Sequence, residues 1–218
     1  MTLKKILIIG TLLPLSACAN STFDPVEHYL AKRNLSPPST TQFQSCRGYG
    51  CQFIDTIILN EDEWAIIDAP FKRKAKTPKD ERDKIIKSIA EFETIVGTKN
   101  GTSKDVWGTF QKTGHTQLDC VDESTNTSMY MLALQKRGHI HHHIIGTPQA
   151  RVSLRQWPHQ TATLIENETK QVYAIDSWFY NNGEPPRIIE FETWKDGWSP
   201  RKLERLAQKQ RAEKAKSQ

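Results

Sequence analysis

Cysteine is scarce, with four residues in a chain of 218, and only Cys46 and Cys51 lie close together. A metal site on that pair would lack a second pair of ligands at comparable spacing, so no metal and no cofactor is expected. No internal repeat recurs, which excludes stacked-repeat architectures. The apolar run from Ile6 to Leu15 is too short to span a membrane as a mature helix. The body also lacks an excess of charge of either sign. Seven Lys/Arg and two Asp/Glu fall in residues 201–218, so the 30 bases and 25 acids of the whole chain leave 23 against 23 before them. The net charge of +5 belongs to the tail, and no nucleic-acid partner is expected of the body. The tail reads as a solvated, partly helical segment, or more sharply as a contact for anionic lipid headgroups or wall polymer.

What is present begins with Lys4-Lys5, the apolar run, and Ser16-Ala17-Cys18, the pattern of a secretory signal. Leu15-Ser16-Ala17-Cys18 resembles the lipobox of bacterial lipoproteins, whose cysteine is diacylated and becomes the first mature residue. The resemblance implies a signal peptide over 1–17, membrane attachment through lipid on Cys18, and a periplasm-facing position in the cell envelope. Ala19, rather than Asp, favours the outer membrane. The alternative is an ordinary cleaved signal with an incidental cysteine.

Export to an oxidising compartment makes the remaining cysteines informative. Cys46-Arg47-Gly48-Tyr49-Gly50-Cys51 can close a short disulfide loop whose glycines permit the turn. Cys120 is left over, either as an inert buried thiol or as one that is used.

The expected organisation is a flexible tether over 18–45, rich in Ser, Thr, Pro, Asn and Gln, a domain over 46–199, and a basic tail over 200–218. Within the tether, 24–33 can form one short helix. Phe53 to Leu59 and Trp64 to Ile67 read as two strands flanking a turn at Asn60-Glu61-Asp62-Glu63. Thr77-Pro78-Lys79-Asp80 starts a helix whose apolar face is Ile85, Ile89, Phe92 and Val96, ended by Gly97. Trp107 and Phe110 anchor the polar stretch that follows. A second helix starts with Asp119 as N-cap and stops at Gly138. Strand-like runs follow at His139 to Ile145, Gln160 to Ile165, Val172 to Phe179 and Arg187 to Phe191, so the fold class expected is α+β, a helix packed on an antiparallel sheet.

Cys120, in the first turn of its helix, sits where free backbone N–H groups favour a thiolate. Asp119, Asp122 and Glu123 oppose that charge, so a cationic partner is required. His159, after Trp157-Pro158, is the candidate. Asp176, inside the apolar run Tyr173-Ala174-Ile175, is costly to bury unless paired, and it can orient the imidazole. The order Cys120, His159, Asp176 is a thiol-nucleophile layout.

Asp119-Cys120-Val121-Asp122 opening a helix, Leu134 and Gly138 closing it, His159 leading a strand and Asp176 in the next resemble the transglutaminase-like superfamily over about 118–180. The branch it is most similar to is the bacterial transglutaminase-like cysteine proteinases. The resemblance implies a papain-like core with Cys120, His159 and Asp176 as the catalytic residues, acting on a peptide or cell-wall amide. Transglutaminases proper usually carry Trp after the cysteine, where Val121 stands here, which favours hydrolysis over crosslinking. An oxyanion is expected to be held by the nucleophile's own N–H and by the Gln117 side chain.

Two other readings stand beside this one. On a strand, His139, His141 and His143 would share one face, as a metal-binding module needs. A lipid-tethered adaptor that keeps the fold without catalysis is the second.

Overall fold

Thirteen consecutive buried residues, Asp122 to Leu134, place the helix α4 (Cys120–Lys136) at the centre of the molecule. Many of them are polar, so burial requires that each side chain be spent on a neighbour. Thr125 meets Tyr29, Asn126 brackets the backbone of Cys46, Thr127 meets Ser177, and Ser124 accepts from Gln160. The computed structural model that shows this describes residues 25–109, 114–153 and 156–201. The expected signal peptide, Cys18, Phe110 and the tail from 202 lie outside the described residues.

The remaining elements surround α4. They are α1 (Pro25–Ala31), the antiparallel hairpin β1 (Gln42–Arg47) and β2 (Phe53–Ile58), α2 (Glu61–Asp68), α3 (Pro78–Asn100), and the strands β3 (His143–Ser153), β4 (Gln156–Glu166), β5 (Val172–Asp176) and β6 (Arg187–Glu190), with α5 (Phe191–Lys195) last. The four later strands form one antiparallel sheet in the order β3-β4-β5-β6. Helix α4 contacts both β4 and β1, so it lies against the sheet and the hairpin together. The architecture is α+β, with helices packed against antiparallel sheets. No helix among the described residues is long and apolar enough to cross a membrane.

Several expectations are corrected. The stretch 25–45 is not a tether, because Val26, Leu30, Leu35 and Phe43 are all buried in the main core. Each such side chain contributes roughly 1.5–3 kcal/mol of hydrophobic stabilisation, which its polar neighbours in sequence obscure. Asn60 to Glu63 is no hairpin turn: Asn60 caps α2 in a reciprocal capping box with Glu63, and Trp64 to Ile67 are helical. Helix α3 runs past Gly97 to a left-handed Gly101 at φ 83°. Gly97 is needed for close approach, since a Cβ there would come within 2.9 Å of the Ser103 backbone and the Asn182 amide. The final expected strand ends at Glu190, after which the chain turns into α5.

The strand expected from His139 begins only at His143. His139 bonds Asp68 at 2.8 Å and stacks on Phe71. Buried His143 donates from Nδ1 to Glu81 and accepts at Nε2 from Arg82, which fixes a neutral tautomer with no lone pair free. The shared metal-binding face therefore does not form.

Candidate active site

Asp119 caps α4 in an extended conformation, accepting the N–H groups of Val121 and Asp122, while Asp122 accepts that of Asp119. Cys120 is thus the first helical residue, and its own N–H is the remaining first-turn donor beside the sulfur. Cys120 is a free, partly exposed thiol.

The loop closed by the disulfide Cys46–Cys51 lies against the segment before it, with the Gly48 N–H donating to the Gln117 carbonyl. Gly48, Tyr49, Gly50 and Cys51 all have φ between 61° and 79°, a run of left-handed residues in which two are not glycine. Such backbone persists only when it is over-determined. Here the Tyr49 and Cys51 N–H groups converge on the Asp122 carboxylate at 2.7 and 2.6 Å, a nest around an anion. The two sulfurs and Asp122 are close enough to suggest a metal cluster, but the sulfurs are bonded to each other.

The structure brings His159 between Cys120 and Asp176. Its Nε2 donates to Asp176 Oδ2 at 2.8 Å, and Cys120 lies close enough to the ring to act on it by charge and hydrogen bonding. His159, expected to lead its strand, is interior to β4, three residues past its start at Gln156, and a register shift between the Arg151 and Ser153 pairings accommodates Trp157-Pro158. Trp178, Phe179 and Trp194 surround the imidazole at centroid distances of 4.7, 5.1 and 5.7 Å. Burial in this aromatic box acts to lower the imidazole pKa. The charge and hydrogen bond of Asp176, together with Cys120, outweigh it and raise His159 to about 9.

The acids near Cys120 are not uniformly opposed to a thiolate there. Burial pushes Asp122 up to about 6, Asp105 to about 7 and Glu93 to about 8, and holds Glu123 well above the carboxylate range. Burial thus weakens the negative charge that Glu123 sets against a thiolate at Cys120. These groups also tie the site together: Asp105 accepts the Leu118 N–H, and Glu93 accepts the Gly183 N–H.

Gln117 is placed otherwise than expected. Its amide donates to the Lys104 and Thr116 carbonyls, and its oxygen accepts from Val106 and Thr109. It latches the loop and has no donor left for an oxyanion.

Arg151 was not legible as a site residue. It is the register partner of His159 and is buried, with its guanidinium 4.5 Å from the Trp194 ring centroid. It donates to the Trp194 and Trp198 carbonyls, while its Nε has no partner among the described residues. Burial holds its pKa below the usual arginine range, and Asp176 and Cys120 pull it back up, which puts a buried cation within electrostatic reach of both. A lone arginine in an alternating strand carries no sequence signal for this.

Compared with family models, curated proteins and solved structures, the chain matches none.

Proposed function

We propose that this protein is a cysteine hydrolase of amide bonds, a peptidase or amidase built on a papain-like, transglutaminase-like core. The observation that carries the reading is a buried His159 bonded to Asp176 in an aromatic box, with Cys120 near enough to act on the same ring. Cys120 thiolate attacks the amide carbonyl, and the oxyanion is met by the Cys120 backbone N–H. His159 imidazolium gives its proton to the departing amine as the C–N bond breaks, which leaves a thioester. His159 then takes a proton from water, whose oxygen displaces the thiolate and releases a carboxylic acid. Asp176 holds the ring and its charge throughout. An amine in place of water would make the same site a transferase.

In this reading, lipid on Cys18 tethers the enzyme in the cell envelope, where wall peptides and periplasmic proteins supply amides.

The test is alkylation by iodoacetamide at pH 6–7 of the soluble chain from residue 19, located by mass spectrometry. Fast labelling of Cys120 that drops at least about tenfold in His159→Ala supports the ion pair. Equal, slow labelling of both sinks catalysis and favours the non-catalytic envelope adaptor.

A further inference from the structure

Beside the His159 box the fold leaves a cleft of about 730 Å³, lined by Trp107, Trp178, Phe179, Tyr180, Glu184 and Arg201 among others. Trp178 and Phe179 are shared, since both also contact the His159 ring. The walls are fixed by the backbone. Gly108 donates to the Trp178 carbonyl at 2.9 Å, Trp178 Nε1 donates to the Thr109 carbonyl, and the Trp107 N–H donates to Asn181 Oδ1. Glu184 is held in the same turn, accepting the Asn181 N–H and side-chain amide. Trp107 is 41% exposed, a large aromatic ring open at the rim of the cleft.

Aromatic faces with one carboxylate are the elements that recognise an organic cation. The cleft already holds one: the Arg201 guanidinium lies 4.0 Å from the Trp107 ring centroid. Seventeen residues follow Arg201, six of them Lys or Arg.

We propose that this cleft is a subsite for a cationic side chain, an arginine or lysine of a peptide substrate, and that Arg201 occupies it in cis as a competitor. The position next to the nucleophile rests on the catalytic reading above; the recognition of the cation does not. A sugar or neutral apolar ring would also suit exposed tryptophan, but neither accounts for a guanidinium stacked there or for Glu184 at its edge. Under this assignment the enzyme prefers amides flanked by basic residues, and the chain's own basic extension tempers access to the site.

The experiment is fluorine NMR of the full chain labelled with 5-fluorotryptophan, with the Trp107 resonance assigned by its loss in Trp107→Phe. N-acetyl-arginine methylamide and its neutral isostere, N-acetyl-citrulline methylamide, are titrated into the wild type, Arg201→Gln, and Arg201→Gln/Glu184→Gln. The expected result is a Trp107 shift with the arginine probe. Its apparent affinity should be at least about threefold tighter in Arg201→Gln, because the resident competitor is gone. The citrulline probe should bind several-fold more weakly, and adding Glu184→Gln should weaken the arginine probe. Equal response to both probes, or no gain in Arg201→Gln, overturns the proposal. Binding is read at Trp107 without turnover, so a protein that binds the arginine probe yet shows no His159-dependent Cys120 reactivity retires the catalytic reading and leaves the subsite standing. The converse result separates them in the other direction.

Discussion

Trp194 donates its indole N–H to Asp176 Oδ2 at 2.6 Å, the same oxygen that receives His159, while Asp176 Oδ1 is buried with no partner among the described residues. Two donors on one oxygen divide its charge between them. Removing the indole donor in Trp194→Phe should concentrate Asp176 on His159 and raise the imidazole pKa further, at a stability cost of about 1–3 kcal/mol. NMR titration of His159 with chemical denaturation checks both, and a lowered pKa would contradict the assignment.

Asp176→Asn replaces the carboxylate with a neutral group of nearly the same shape. Burial then acts on His159 without its counter-charge, so its pKa should fall below the ordinary range. Alkylation or amide hydrolysis at pH 7 should drop by about 10²- to 10⁴-fold. An unchanged rate in a folded variant would remove Asp176 from the mechanism.

Stability should decline as pH rises from 5 to 9. His159 has a folded pKa raised to about 9, so its contribution is full below its unfolded pKa of roughly 6.5 and is lost as pH climbs through 9. The buried acids act in the same direction. Glu93 and Asp105, raised to about 8 and 7, stay protonated in the fold while the unfolded chain ionises above roughly 4.5. Thermal melts should show Tm highest near pH 5, and Glu93→Gln, which mimics the neutral acid, should flatten the slope. A Tm that rises toward pH 9 would contradict this.

How much of this was legible in the sequence depends on how local each signal is. Asp119 with Asp122 announces a helix start within four residues, and the nucleophile position follows from it. Asn60 with Glu63 is the same kind of signal, but a polar cluster between apolar runs also reads as a turn, and the helix won because both reciprocal bonds form. Asp176 was findable as a costly acid in an apolar run, and His159, after Trp157-Pro158, as the cation a thiolate at Cys120 requires. Arg151 was not, because its meaning comes from lying opposite His159 across the β3–β4 register, which includes a shift that no sequence pattern announces. The raised pKa values of the buried acids were missed for a similar reason: Glu93, Asp105 and Glu123 come from separate segments, and only burial together shifts them.

Asp122 joins the disulfide loop to the nucleophile helix, so its loss should be felt in both. Asp122→Ala orphans the Tyr49 and Cys51 N–H groups and breaks the reciprocal cap, for a loss of about 2–4 kcal/mol. The Cys46–Cys51 bond should also become easier to reduce, because the left-handed run loses the carboxylate that holds two of its N–H groups. Urea melts and timed reduction by dithiothreitol followed by thiol counting test the two halves separately. A variant that melts like the wild type would show that the loop is held by the disulfide alone.

Because α4 has no solvent face between Asp122 and Leu134, the part of the molecule that carries the sulfur is also the part least able to move. Its amides are expected to open only with the whole domain, which hydrogen exchange would show. Control over this site must therefore come from what approaches the cysteine, through the loop around Trp107 and the chain at Arg201, and not from displacement of the cysteine itself.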